Sequence, residues 1–214
     1  MRSRHSGSAA VADPARVTEP GHYYDKALQT HAVRLMPAEY RVSSEPLALV
    51  TLLGSCVAAC LYDPLVGVGG MNHFMLPGAA GNTRNDLADG DMSARYGAHA
   101  MELVINDLLK RGASRSRLLA KVFGGGNVLS GFQNDPIGTR NARFVLQYLV
   151  AERIPVVAQD LGDTQPRKVC FFVQTGRTLV RRLPSTRDDD IVRAERAYYG
   201  DLNRAPVAGS VELF

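Results

Sequence analysis

Cys56 follows Gly54-Ser55 at the end of an apolar run, and His73 comes seventeen residues later, past a turn-forming Asp63-Pro64. A cysteine held at a tight turn and a histidine delivered by the next strand can form a thiolate–imidazolium pair. The charged imidazole lowers the thiol pKa and makes a sulfur nucleophile at neutral pH. The same residue types also occur as buried structural groups, because a free cysteine packs like a small hydrophobe. Spacing alone leaves both readings open. Backbone N–H groups around Ser55 and Cys56 are candidates for binding an oxyanion next to such a nucleophile.

The surrounding elements are the positioning frame. Leu47–Leu53 is an apolar run of strand length, expected to be buried on both faces and to lead directly into the Gly54-Ser55-Cys56 turn. Residues 57–62 continue extended, and 66–75 form the next strand, carrying His73. Strands are also expected at 32–36 and 40–42, at 118–123 before Gly124-Gly125-Gly126, and at 154–158 and 168–173. The last of these forms a hairpin with 178–183 about Gln174–Arg177. Met101, Val104, Ile105, Leu108 and Leu109 repeat with helical period and predict a helix over 93–111, with Ser93 or Asp91 as its cap and Gly112 as its stop. A second helix is expected over 138–153, with Ala142, Val145, Leu146, Leu149 and Val150 on its inner face. Residues 77–93, rich in Gly, Asn and Asp, read as a loop able to wall a cleft near His73.

Strands interrupted by two helices indicate an α/β domain with mixed sheet layers. Residues 1–30 read as a flexible leader, 31–183 as the domain and 184–214 as a charged extension. That extension has a helix over 185–199, with Asp188–Asp190 in its first turn, and a loose end.

Composition narrows the function. A chain of 214 residues with 45% hydrophobic content and a formal charge of +4 is mildly basic, and its Lys and Arg are scattered. Nucleic-acid binding is not expected from such a distribution. No run approaches the roughly 18–20 apolar residues of a membrane span, and no apolar segment follows the basic N-terminus, so neither insertion nor secretion is expected. Three cysteines at 56, 60 and 170 fit a reducing cytoplasm rather than a disulfide framework. The Cys56-x3-Cys60 spacing lacks a second ligand pair, so no metal is expected. No cofactor is expected either. Gly124–Gly126 lacks the spacing of a phosphate loop and is read as close backbone packing.

Several separated strings carry a resemblance. Leu-Gly-Ser-Cys-Val (53–57), Tyr-Asp-Pro (62–64) and Gly-Gly-Met-Asn-His-Phe-Met-Leu-Pro (69–77) come first. Lys-Val-Phe-Gly-Gly-Gly-Asn (121–127), Ile-Gly-Thr-Arg-Asn (137–141) and Ile-Pro-Val-Val-Ala-Gln-Asp-Leu-Gly (154–162) follow, then Arg-Lys-Val (167–169) and Thr-Gly-Arg (175–177). In this order, over residues 32–183, they resemble the CheD family of bacterial chemoreceptor glutamine deamidases. The resemblance implies a three-layer α/β sandwich with mixed sheets and two main helices, related to cytotoxic-necrotizing-factor-type deamidases. It implies Cys56 as nucleophile, His73 as its acid–base partner and Thr51 as a supporting residue, although Thr51 is equally readable as an ordinary β-branched strand residue. It also implies methyl-accepting chemoreceptors as protein substrates, the phosphatase CheC as a possible partner, and a role in chemotaxis adaptation. A monomer is expected. Alternatives are an adaptor that binds receptors or CheC with little catalysis, and another cysteine hydrolase, including a receptor methylesterase. Asp163 stands where the family has a second glycine; if that turn uses a positive φ, Asp is tolerated there but is less favourable than Gly.

Overall fold

The computed structural model describes residues 21–77, 86–129, 136–184 and 190–204. Residues 1–20, 78–85, 130–135, 185–189 and 205–214 lie outside the described residues. With them lie most of the expected leader, much of the expected loop over 77–93, the expected helix start at 185 with Asp188 and Asp189, and the expected loose end.

Among the described residues, ten strands make two five-stranded mixed sheets. The first holds β1 (His22–Asp25), β2 (Thr30–Arg34), β4 (Leu47–Leu53), β9 (Arg167–Phe172) and β10 (Thr178–Arg182), in the order β1-β2-β4-β9-β10. The second holds β3 (Tyr40–Ser43), β6 (Val68–Asn72), β5 (Val57–Asp63), β7 (Leu119–Gly124) and β8 (Val156–Leu161), in the order β3-β6-β5-β7-β8. One pair in each sheet is parallel, β2 with β4 and β7 with β8, and the other pairs are antiparallel. Helices α1 (Asp86–Lys110) and α2 (Ile137–Ala151) cover the second sheet, and α3 (Asp190–Arg204) follows the last strand.

The layering follows from side-chain alternation. On β5, Ala58, Cys60 and Tyr62 face the first sheet and meet Leu49, Leu53, Val169 and Phe171. Val57, Ala59 and Leu61 point the other way, onto Val104, Ile105, Leu108, Val145 and Leu149 of the helices. The result is sheet on sheet on helices, an α/β architecture in three layers. Each fully buried leucine in these layers contributes roughly 1.5–3 kcal/mol by leaving water.

Several boundaries differ from the sequence expectation. β1 falls within the expected leader and pairs with β2, from His22 opposite Val33 to Asp25 opposite Thr30. α1 begins at Asp86, seven residues ahead of Ser93, so neither Ser93 nor Asp91 is its cap. The Gly and Asp residues there are weak helix formers, a preference that helix extension overrides. On α2 the inner face is Ile137, Gly138, Asn141, Val145 and Leu149, while Val150 is 77% exposed. α3 runs to Arg204, because Tyr198, Tyr199 and Leu202 continue its apolar stripe onto the core between the sheets. No helix among the described residues is long and apolar enough to cross a membrane.

Candidate functional site

The chain crosses from the first sheet to the second at Gly54-Ser55-Cys56, between β4 and β5. Three carbonyls in this turn are held from behind. Gly126 N–H donates to the Gly54 carbonyl (2.8 Å) and Gly125 N–H to the Cys56 carbonyl (2.7 Å). Asn141 Nδ2 donates to the Ser55 carbonyl (2.8 Å), while Asn141 Oδ1 accepts from Leu76 N–H (2.9 Å). With the carbonyls fixed on one side, the N–H groups of Gly54, Ser55 and Cys56 converge on the other. Consecutive amides aimed at one point form a concave anion site. The glycine turn makes this possible. Gly124 has φ +105°, and a Cβ there would lie 2.2 Å from the Cys56 carbonyl oxygen. Its amides are used for bracing, so the expectation of close backbone packing rather than phosphate binding describes this turn.

His73 arrives by an interruption in strand pairing. β5 and β6 pair through Cys60 opposite Met71, and the same register resumes at Val57 opposite Phe74. Between them Asn72 Oδ1 accepts from Ala59 N–H (2.9 Å) and its Nδ2 donates to the Ala100 carbonyl (3.0 Å). Asn72 therefore pairs with backbone and does not touch the imidazole. The His73 backbone turns to pair with residues 38–39 instead, donating to the Glu39 carbonyl and accepting from Ala38 N–H, both at 2.9 Å.

Thr51 on β4 reaches His73 from the opposite sheet. Its hydroxyl donates to the Leu35 carbonyl (2.9 Å) and lies 2.8 Å from His73 Nδ1. A threonine hydroxyl has one hydrogen, and Leu35 takes it, so Nδ1 must be the protonated nitrogen and Thr51 the acceptor. Nε2 then carries the lone pair. Among the described residues it is buried without a hydrogen-bond partner. The structure thus brings Cys56, His73 and Thr51, the three sequence-derived candidates, into one buried cluster.

A fourth residue joins them. Glu195 of α3 is 1% exposed. Its Oε1 accepts from Gly54 N–H (2.8 Å) and Cys56 N–H (3.0 Å), and its Oε2 accepts from Ser55 N–H (2.5 Å). Sγ of Cys56, a ring nitrogen of His73 and a carboxylate oxygen of Glu195 all lie within 4.8 Å of one another. The Cys56 thiol lies beside this carboxylate. These three side chains have the donor types of a metal site, but the carboxylate oxygens face the positive ends of three N–H dipoles. That field suits an anion.

Burial controls protonation here. Desolvation, then the neighbouring Glu195 carboxylate, pushes the Cys56 thiol well above its ordinary range. Desolvation lowers His73 to about 4, against a smaller opposing effect of its hydrogen bonding near Leu35. Burial likewise raises the Glu195 carboxyl, partly offset by its N–H donors. The expected thiolate–imidazolium pair is therefore not the state of the site with α3 in place. Both partners are neutral because neither charge is solvated. Beside His73, a cavity of about 160 Å³ opens between Arg34–Pro37, Leu52 and residues Asp190, Ile191, Ala194 and Glu195 of α3.

The other two cysteines, His99 and Asp163 lie elsewhere. Cys60 and Cys170 are buried free thiols, each raised chiefly by desolvation and neither in the cluster. His99 is exposed on α1. Asp163 does adopt positive φ (+68°), and it compensates by accepting from Thr164 N–H (2.7 Å) and pairing with Arg182 (2.7 Å). Fully buried Arg167 donates to the carbonyls of Gly124, Asp160 and Gly162, tying the glycine turn to the neighbouring loop.

Sequence reasoning missed Glu195 and the bracing role of Asn141. The signal for Glu195 was an acidic residue inside the stripe Ile191, Val192, Tyr198, Tyr199, Leu202. For Asn141 it was an amide on the inner face of an amphipathic helix.

Comparison with known proteins gives a consistent picture. A family model described as CheD chemotactic sensory transduction matches residues 75–182. A protein of Xanthomonas campestris pv. campestris (strain B100), named probable chemoreceptor glutamine deamidase CheD, is 53% identical over 204 residues, covering 95% of this chain and all of that protein. Proteins of the same name from Stenotrophomonas maltophilia (strain K279a) and Thiobacillus denitrificans are 54% and 51% identical. They cover 93% and 90% of this chain, and 97% and 94% of their own lengths. Among solved structures, the Bacillus licheniformis hypothetical protein YfiH is similar at 15% identity and a TM-score of 0.33, over 59% of this chain and 50% of that one.

Proposed function

The chain belongs to the CheD family, and we infer from this that it is a chemoreceptor glutamine deamidase, a hydrolase acting on protein glutamine, whose nucleophile is Cys56. The observation that carries the site assignment is the convergence of Cys56 Sγ, a ring nitrogen of His73 and three backbone N–H groups around one carboxylate.

An amide is a weak electrophile and ammonia a poor leaving group, so deamidation needs a strong nucleophile, an acid for the leaving nitrogen and donors for the oxyanion. His73 Nε2 takes the thiol proton as Cys56 Sγ attacks the glutamine Cδ. The oxygen of the tetrahedral intermediate is held by the N–H groups of Gly54, Ser55 and Cys56. His73 returns its proton to the nitrogen, ammonia departs and a thioester remains. Water, deprotonated by the same imidazole, then attacks the thioester; the C–S bond breaks, the imidazolium returns its proton to Cys56 Sγ, and glutamate is left. Thr51 acts as a positioning residue, holding the imidazole with its lone pair toward the thiol. A methyl ester would follow the same route with methanol leaving.

The same reading places the enzyme in the cytoplasm, as a monomer able to engage CheC, and groups its sandwich with cytotoxic-necrotizing-factor-type deamidases. The family resemblance supports the CheC partner and the grouping, and the three scattered cysteines support a reducing cytoplasm. The monomer rests on the lack of an obvious self-association stripe in the sequence.

The decisive experiment is intact-mass analysis of a recombinant chemoreceptor cytoplasmic domain after incubation with the protein. A gain of about one mass unit per site, mapped to glutamine and absent with Cys56→Ala, is the expected outcome for replacing an amide by a carboxyl. An unchanged mass with a competent receptor rejects the assignment.

A further inference from the structure

We propose that α3 is a tethered product analogue: its Glu195 occupies the glutamine site and holds the enzyme closed until the helix leaves. The proposal rests on the deamidase reading, in which the product is a glutamate side chain.

The geometry is specific. Glu195 presents a carboxylate to the three N–H groups that would hold the reaction's oxyanion, with the Cys56 thiol against it. A glutamate just formed from a glutamine would leave its carboxylate in this position. A carboxylate is costly to bury, and a core stripe has no packing use for one. Here it is tolerated because three backbone N–H donors satisfy it. Gly54 makes room for it, since a Cβ at residue 54 would lie 2.6 Å from Glu195 Oε2.

α3 is also held as a detachable element. Ile191, Val192 and Glu195 are buried, Tyr198, Tyr199 and Leu202 are partly buried on the same stripe, and Arg193, Arg196, Ala197 and Asp201 face solvent. Tyr198 Oη lies 2.5 Å from Tyr96 Oη of α1, anchoring the middle of the helix. A 15-residue helix is marginal alone, so it depends on this one face. A helix that fits the groove with an acidic side chain in the amide pocket shows what the groove accepts: an amphipathic helix with glutamine or glutamate at its buried centre. Substrate and α3 therefore compete, and receptor binding must displace α3.

Glu195→Gln turns the product analogue into a substrate. Cys56 Sγ, its proton passed to His73, would bond to Cδ of residue 195. The C–N bond would break with the proton returned to nitrogen, and water would hydrolyse the thioester to regenerate the thiol and Glu195. The experiment is peptide mass mapping of residue 195 in purified full-length Glu195→Gln, with Cys56→Ala/Glu195→Gln as control and receptor deamidation measured on the same Glu195→Gln sample. The expected result is Glu at 195, about one mass unit heavier than encoded, with Gln retained in the control. Retained Gln in a sample that still deamidates receptor overturns the tethered-product proposal alone. Retained Gln without receptor turnover overturns it together with the deamidase reading. Iodoacetamide labelling gives a second measure. Cys56 should label on the order of tenfold faster in Glu195→Ala than in wild type, and receptor turnover should rise by a comparable factor. Equal labelling rates would overturn the proposal.

Discussion

His73 Nδ1 lies 2.8 Å from Thr51 Oγ1, so a residue of one sheet fixes the tautomer of a histidine carried by the other. The contact spans the core between the sheets and ends at the Leu35 carbonyl, which takes the only hydroxyl hydrogen. That leaves the lone pair on Nε2, in a ring within reach of the Cys56 thiol.

Thr51→Val keeps the shape and removes this contact. Activity should fall on the order of tenfold to a hundredfold, the usual cost of losing a group that orients a reacting side chain. The acidic limb of the pH–rate profile should move as well, because the tautomer is no longer fixed. Thr51→Ser should restore most of the rate. A profile unchanged in Thr51→Val would assign Thr51 to packing alone. Leaving the Leu35 carbonyl and Nδ1 unpaired should also cost about 1–3 kcal/mol in denaturant unfolding.

Asn141 acts one layer further back. Asn141→Ala removes the donor to the Ser55 carbonyl and the acceptor for Leu76 N–H. The peptide between Ser55 and Cys56 is then free to rotate, and the Cys56 N–H no longer points steadily at the oxyanion. The expected outcome is a fall in kcat on the order of tenfold with little change in KM, since the loss is felt mainly in the transition state. Equal loss in both would mean that Asn141 supports binding instead.

The layers were largely legible in the sequence, and the covering of the site was not. Leu47–Leu53 reads as a buried strand and is one, with a turn directly after it that carries Cys56. The period of Met101, Val104, Ile105 and Leu108 likewise marks a face that is buried. What periodicity could not supply is which sheet each strand joins. β4 and β5 are separated by three residues yet lie in different sheets, and this crossing exposes the amides of 54–56 as a group. Nor could it reveal Glu195, whose contacts lie about 140 residues away along the chain. A helix rich in Arg and Asp reads as solvated until one of its acids is found at the centre of the apolar stripe.

The buried imidazole makes a signed prediction for acid stability. His73 titrates at about 4 in the folded protein and near its ordinary value of about 6.5 when unfolded. Its folded pKa is depressed, so the unfolded chain binds more protons between these values. Stability from this group is complete above pH 6.5 and declines as pH falls toward 4. Glu195, raised by burial, contributes with the opposite sign, losing stability as pH rises above its free value. It lies within 4.8 Å of His73 but acts with the opposite sign, so a steeper acid fall in wild type than in a His73→Asn variant reports the imidazole. Denaturant midpoints measured from pH 7 to 4.5 should fall more steeply in wild type than in His73→Asn. Parallel curves would contradict the buried neutral imidazole. Asp63 acts in a lower window. Although burial opposes it, the Arg117 guanidinium and the Ser114 and Leu65 N–H groups bring its carboxyl to about 2, so its contribution is lost only below pH 4.

Gly54 separates occupancy of the amide site by α3 from use of that site in catalysis. A Cβ at residue 54 would lie 2.6 Å from Glu195 Oε2, 3.1 Å from its Cδ and 2.7 Å from Val128 Cγ2. Residue 54 does not have positive φ, so alanine fits the backbone there and acts as a steric plug in front of the amides. Gly54→Ala and Glu195→Ala should both unseat α3, and in both Cys56 should label faster with iodoacetamide. Their effects on receptor deamidation should be opposite. Glu195→Ala clears the site and raises turnover, whereas Gly54→Ala blocks the glutamine carboxamide as it blocks the carboxylate, and should lower turnover on the order of a hundredfold. If Gly54→Ala were instead as active as Glu195→Ala, the oxyanion would have to be held by donors other than the amides of 54–56. The carboxylate of Glu195 would then mark an anion site beside the reaction path rather than on it.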